Sequence, residues 1–452
     1  MKLYNFMLKS IKYQYNFTIN NQKGSVLKKP FNWDNYSDQA GLLKDKALKK
    51  ALRKKAFPSI MKTFVISAVT LPISILMMPF VKRKNVASSD FFSLVIDFQR
   101  EKELSLELVE ELGVNTILLR LKLWEMDSLE ELKTFIHKCQ NKKIILKVMQ
   151  DRENIEDLTL FEKNISKIFE QLHEDVDIFE IGTTINRTKW GFFSVDEYNN
   201  FYKTAYDVKK EKFPDLKLIG SSVIDFEYHF TAHTLFNFFK YKYDGISALL
   251  YVDRRGAPEN TQIGFTLSDK IALLSTMVWM SPKTKQDLHI TETNWPISNT
   301  APYAPTSEKE CVNEDLYADY LLRYYLLAFA SQQVDSVSWH QLIAPGYGLV
   351  NNLDAIVKRS AFYTYKFMVK NLKNAQFLRL DIKRDYYILQ CLVDERILQI
   401  HWSLKPTTLK NEDFFESYSR DGELIKDEIL EIGSSPVYIY ITKAVPKKIN
   451  CL

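Results

Sequence analysis

Leu288-His-Ile-Thr-Glu-Thr-Asn-Trp-Pro296 runs from apolar residues into a lone carboxylate, Glu292, with Trp295 close behind. A carboxylate closing an apolar strand can act as nucleophile, general base or stabiliser of positive charge. Three more carboxylates are candidates to work with it. Asp225 and Glu227 stand beside His229 in Ser221-Ser-Val-Ile-Asp-Phe-Glu-Tyr-His229, and Asp253 precedes Arg254 and Arg255. Asp253 reads either as a proton donor or as half of a salt bridge that shapes its loop. The arginines suit a carboxylate or phosphate on a substrate. His229 and His233 have helical spacing, but with no HExxH motif and no third ligand nearby they do not make a metal site. No nucleophile-elbow, phosphate-loop or dinucleotide fingerprint occurs, so no cofactor is expected.

The elements that must position these groups alternate between strand and helix. Short apolar runs cover residues 91–97, 116–123, 143–149, 177–182, 216–220, 246–252, 288–292 and 335–339. Helical stretches such as 195–212 and 315–332 separate them, the pattern of parallel β/α architecture. Eight such pairs close naturally as a (β/α)8 barrel, whose chemistry gathers at the carboxyl ends of its strands. Glu292, Asp225, Glu227 and Asp253 all fall at or just beyond such ends.

Several fragments resemble the (β/α)8 retaining glycosidases, the superfamily that includes cellulase-like and xylosidase-like enzymes. Leu288–Trp295 is similar to their nucleophile strand, Asn115-Thr-Ile-Leu-Leu-Arg120 to their second strand, Leu250-Tyr-Val-Asp253 to their sixth and Val337-Ser-Trp339 to their eighth. The resemblance implies that Glu292 is the nucleophile. It places Arg120, Tyr251 and Trp339 around the substrate, with Trp339 as the floor of the sugar site, and Thr184 where the acid would stand. Position beyond the strand ends adds Trp295, His340 and Arg254 as candidate substrate contacts. One departure is decisive for mechanism. Where the family's fourth strand ends Gly-Asn-Glu, with the Glu as general acid/base, this chain has Gly182-Thr183-Thr184. Retaining hydrolysis uses two carboxyls about 5 Å apart, so Asp225, Glu227 and Asp253 become the candidate acids. Glu180, on the same strand face as Thr184, is expected to pair with Arg120 rather than react.

Composition frames this reading. The 452 residues are 46% hydrophobic and 13% aromatic, enough for one barrel with smaller attachments. Met1–Asp90 carry 17 Lys and Arg against 4 Asp, whereas the remainder carries 44 basic against 52 acidic residues. A basic leader outside the folded body argues against nucleic acid and for a membrane. Residues 1–62 form this leader, with a basic amphipathic helix expected over 41–55. Residues 63–81 are an uncharged run of membrane-spanning length, about 28 Å as a helix, which reads as a membrane span or in-plane anchor, or else as a hydrophobic helix docked on the barrel. The barrel is expected over 91–373 and a small β-sandwich over 374–452, with a hairpin turn at Asp421-Gly422. The excess of basic residues before the apolar run predicts the N-terminus inside and the barrel outside a bacterial inner membrane. Cys139, Cys311, Cys391 and Cys451 have no spacing that suggests disulfides or zinc. The expected function is action on a bacterial glycan or glycoconjugate as a glycoside hydrolase. The alternatives are a transglycosylase and a non-catalytic sugar-binding scaffold.

Overall fold

The computed structural model describes residues 32–441 apart from 85, 87, 254, 255, 413 and 414. Eight parallel strands close into a barrel: β1 (Phe92–Ile96), β2 (Thr116–Lys122), β3 (Lys143–Met149), β4 (Ile178–Ile181), β5 (Leu218–Ile224), β6 (Tyr243–Leu249), β7 (Thr284–Thr293) and β8 (Ser336–Trp339). β8 pairs with both β7 and β1, which removes every free edge. Alternation along each strand sends one set of side chains inward and the other toward the helices. Val95, Leu118, Ile145, Ile178 and Ile219 form an inner apolar cluster on one side of the barrel. Two residues further along, the same inward parity delivers Arg120, Lys147 and Glu180, which stand in register on β2, β3 and β4. A charged layer thus caps an apolar one directly beneath the mouth.

The outer ring is held by helices whose ends are chemically specified. Gly113 (φ 68°) stops Lys102–Leu112 in the left-handed conformation that glycine tolerates best. Ser194 and Asn313 cap Val195–Lys212 and Glu314–Ser331, and Thr266 with Asp269 forms a capping box on Leu267–Met280. After the barrel, Ser360–Leu372 leads to a six-stranded antiparallel sheet and a two-stranded ribbon, Thr407–Lys410 with Ile429–Ile432. Phe415–Tyr418 and Leu424–Ile425 pair across the turn that contains Gly422 (φ 92°).

The leader differs from its expected form. The amphipathic stretch and the apolar run are one continuous helix, Lys46–Met77, capped by Asp45, whose side chain accepts from the Leu48 amide. Pro58 and Pro72 sit inside it. Ahead of the helix, Trp33–Asp34 and Gln39–Ala40 pair as a minimal antiparallel hairpin, which sequence periodicity does not reveal because each strand has only two residues. This hairpin, called the strap below, lies across the barrel mouth. Cys139 and Cys391 are buried free thiols, with burial pushing both up to about 12, while Cys451 lies outside the described residues.

Candidate active site

Glu292 lies near the carboxyl end of β7, with its side chain 18% exposed. The Tyr251 hydroxyl, just beyond β6, donates to Glu292 Oε1 at 2.7 Å. Lys147 Nζ stands 3.8 Å from Glu292 Oε2 and 3.4 Å from Glu180 Oε2. Burial pushes the Glu292 carboxyl up, but His340, Lys147, the Tyr251 hydroxyl and Arg120 together hold it below the ordinary carboxylate value. His340 is itself neutral at pH 7, since burial drives its pKa down to about 4. At neutral pH the positive field on Glu292 therefore comes from Lys147 and Arg120. An ionised, hydrogen-bonded carboxylate at the edge of solvent is suited to attack carbon or to stabilise a cation.

Glu180 is not paired with Arg120. It is fully buried, takes a hydrogen bond from the Thr291 hydroxyl at 2.8 Å and shares Lys147 with Glu292. Arg120 turns instead to the strap, where it pairs with Asp38 and also donates to Gln341 Oε1 at 3.2 Å. Burial would raise the Asp38 pKa, but Arg120 and Lys122 hold its carboxyl well below the usual range. Around that pair the strap is pinned on several sides. Trp33 packs against Trp124 and Trp190, with ring centroids 5.1 and 5.7 Å away. Gln39 accepts from Lys189 at 2.7 Å and donates to the Pro305 carbonyl at 2.8 Å. Asp38, Lys147 and Lys189 are site residues that motif reasoning passes over. Lys147 carried a signal, being the one charge inside Ile144-Ile-Leu-Lys-Val-Met149.

On the other side of Tyr251 the mouth opens into a cleft of about 310 Å³. Asp225, Glu227 and Asp253 line it together with Gln262 and Glu310. Arg187 ties the first two down, at 2.7 Å to Asp225 and 2.6 Å to Glu227. Asp253 is in no ion pair among the described residues. Arg254 lies outside the described residues.

The two tryptophans are core residues in this structure. Trp339 is fully buried, stacks on Trp295 at 5.9 Å and donates from Nε1 to the Tyr317 hydroxyl at 2.8 Å. Trp295 is 1% exposed and donates to the Gly256 carbonyl. Neither ring leaves a face for a sugar to stack upon, because the helix Glu314–Ser331 supplies Tyr317 and Tyr324 against them. Tyr347 stacks on His340 at 5.3 Å and is likewise buried. Thr184 (φ 49°) is buried, its hydroxyl 3.3 Å from that of Thr183, and Gln150 clamps the Thr183 backbone from both sides. His233 bonds Thr63 at 2.8 Å and lies 3.3 Å from Asp196, an arrangement that serves helix packing. No group of metal-binding side chains occurs among the described residues.

This geometry has known relatives in shape. No protein-family model matches the sequence, and no curated protein matches it. The structure is similar to that of a family 39 glycoside hydrolase from Bacteroides cellulosilyticus WH2, with a TM-score of 0.61 and 13% identity over 79% of this chain and 82% of that one. A GH39 β-xylosidase from Caulobacter crescentus aligns with a TM-score of 0.55 and 12% identity over 80% and 98%. A GH51 arabinofuranosidase from Xanthomonas axonopodis pv. citri gives 0.55 and 11% over 80% and 98%. The fold is that of the (β/α)8 glycoside hydrolases. At these identities the likeness is one of architecture, and the chemistry must be argued from the side chains present.

Three buried histidines give a pH prediction. Burial lowers His289, His340 and His401 from 6.5 to about 4 each. Between those values the unfolded chain binds protons that the folded chain refuses, so stability falls as pH drops through the window. Each can contribute up to about 3 kcal/mol. Calorimetry from pH 7 to 4 should show a steep loss of Tm. A flat profile would mean that these imidazoles are hydrated.

Proposed function

We propose that this protein is a glycosidase acting on a bacterial glycan or glycoconjugate, with Glu292 as nucleophile and with a non-standard acid. The observation that carries the reading is Glu292 itself: a carboxylate kept ionised at the mouth end of β7, oriented by Tyr251 at 2.7 Å. Attack of Glu292 on the anomeric carbon would form a glycosyl-enzyme ester and expel the aglycone oxygen, and water would then release the sugar. A carboxylate is a competent nucleophile here because the leaving oxygen carries away the bond's electron pair.

Protonation of that oxygen needs a group other than Thr184. Asp253 is the favoured donor, since it shares the cleft with Tyr251 while Asp225 and Glu227 are occupied by Arg187. A proton supplied by a positioned acid accelerates departure by about 10²- to 10⁴-fold, and the gain vanishes for leaving groups that need no proton. Asp253→Asn should therefore slow an ordinary methyl or disaccharide glycoside by at least about 10²-fold and leave 2,4-dinitrophenyl glycosides nearly unchanged. The panel includes xylosides and arabinosides in both anomeric forms, chosen from the activities of the structural neighbours. Equal loss on both leaving groups would remove Asp253 from the role.

One observation favours a second reading, a sugar-binding barrel without turnover. The position of the family's acid holds Thr184, and Glu180, on the strand just before it, is sealed beneath the site. Under that reading no glycoside in the panel is hydrolysed while sugar binding survives Glu292→Gln. Transglycosylation would instead appear as new oligosaccharides when an acceptor sugar is added.

Attachment to a membrane completes the proposal. The helix Lys46–Met77 and the turn after it are long and apolar enough to cross a bilayer, with only 17% of the apolar window buried. If the run crossed, the basic excess before it would leave the barrel outside the bacterial inner membrane.

A further inference from the structure

Both ends of the apolar helix are fastened to the same barrel. Ahead of it, the strap sits on the mouth, through Asp38 on Arg120 and Trp33 against Trp124 and Trp190. Behind it, Lys84 reaches Asp335 at 2.7 Å, immediately before β8 and therefore at the opposite end of the barrel. Between these anchors the helix runs down the flank. Lys62 meets Asp196 at the start of Val195–Lys212, and Ser74 bonds the Met280 sulfur at the end of Leu267–Met280. A helix that crosses a bilayer delivers its ends to opposite sides, about 30 Å apart. This one returns both ends to a single folded body.

Its faces are also the reverse of an ordinary surface helix, which turns its large apolar residues to the core. Against the barrel lie small residues: Ala56, Ser59, Thr63, Ser67 and Ser74 are the buried ones. Outward stand Phe57, Phe64, Val65, Val69, Leu76 and Phe80, each more than half exposed. An apolar surface of this extent marks an interaction site. Charge selects its occupant. Lys50, Arg53 and Lys54 lead into the apolar stretch and Lys82 with Arg83 follow it, all exposed. A second copy of the chain would set these basic ends against one another, whereas anionic lipid headgroups neutralise them at both ends at once.

We propose that the helix Lys46–Met77 lies in the plane of an anionic membrane surface, its outward face in the acyl boundary, and does not cross. The inference rests on the membrane attachment proposed above and specifies its mode. With the helix running from the mouth end of the barrel to the opposite end, the mouth opens along the membrane, at the level of sugars borne on lipids or on the adjacent envelope.

The test places single cysteines at Lys50 and at Lys82 in a full-length background lacking the native thiols, expressed in bacteria. A membrane-impermeant maleimide is applied to spheroplasts and to inverted membrane vesicles. In-plane attachment predicts that both positions label in the same preparation and neither in the other. Labelling of one position in each preparation would show a crossing helix, overturning this inference while leaving the attachment intact. A second arm substitutes Phe64, Val69 and Leu76 by Ser, positions that contribute little to the folded core because they point outward. The membrane-bound fraction should fall by about tenfold or more with Tm unchanged. Undiminished binding would mean that another surface holds the membrane. If wild-type protein is absent from the membrane fraction and elutes as a dimer, the attachment itself fails and a second copy covers the face.

Discussion

Glu292→Gln is expected to lower kcat on 2,4-dinitrophenyl glycosides by about 10⁴-fold or more, since loss of a hydrolase nucleophile has cost about 10⁶-fold. KM should change little, because Gln keeps the shape of the side chain and can still accept from the Tyr251 hydroxyl. On the proposed mechanism, what it removes is the charge that attacks the anomeric carbon. The activated leaving group makes the assay independent of the absent acid, so the measurement isolates one residue. Folding should survive, as Lys147 keeps Glu180 as its partner at 3.4 Å. Glu292→Gly with added azide provides the complementary arm: a small anion in the vacated space should restore turnover and yield a glycosyl azide. Wild-type rates in Glu292→Gln would end the nucleophile assignment. Failure of azide rescue together with loss in both variants would shift Glu292 from nucleophile to charge stabiliser.

Placing a carboxyl at position 184 is expected to be costly. In Thr184→Glu a carboxyl would enter the place where the family's fourth strand carries one, but Thr184 is 1% exposed and has φ 49°. A larger charged side chain there must displace neighbours and tolerate a left-handed backbone, so the substitution is expected to be destabilising. The loop from Gly182 is packed around small hydroxyls, with Gln150 bonded to Thr183 in both directions.

The barrel was legible because its signal is repetitive. Each strand carries an apolar run bounded by polar residues, and eight of them in order leave little freedom of topology. Glu292 was legible for the same reason, as a carboxylate placed where such a run ends. The strap was not. Its two-residue strands have no period, and its stability comes from tertiary partners far away in sequence, Arg120, Trp124, Trp190, Lys189 and Pro305. The hint available was Asp38, one of four acidic residues against 17 basic ones in Met1–Asp90. Trp339 misled for a related reason. Sequence puts it at the end of β8, but only packing shows that Tyr317 claims its Nε1 and that Trp295 covers a face. The helix Lys46–Met77 illustrates a third limit. An apolar run of spanning length says nothing of which face is committed to protein. The small residues Ser59, Thr63 and Ser67 are informative only once the barrel is seen against them.

Asp38→Ala should be among the most damaging substitutions to stability in the chain, at about 3–5 kcal/mol, because it strands a buried guanidinium. The Asp38 side chain is 1% exposed and that of Arg120 6%, so water does little to screen either charge. Arg120 would keep Gln341 at 3.2 Å, a neutral acceptor that cannot replace the ion. Asp38→Asn should cost less, since the amide oxygen can still accept. The double variant Asp38→Leu/Arg120→Leu should recover much of the loss, as removal of both buried charges leaves none unpaired. The pH dependence has a definite sign. The folded Asp38 pKa lies below that of the unfolded chain, so its contribution is complete above the ordinary carboxyl value, about 4. It drains away as pH falls further. The gap in Tm between wild type and Asp38→Asn should thus be constant from pH 7 to 5 and narrow below pH about 4. Subtracting the two profiles cancels most of the histidine contribution common to both. A gap that stays constant to the lowest pH, or an Asp38→Ala variant as stable as wild type, would mean that the strap is not docked on Arg120 in solution. The mouth would then be open on the side that the strap now closes.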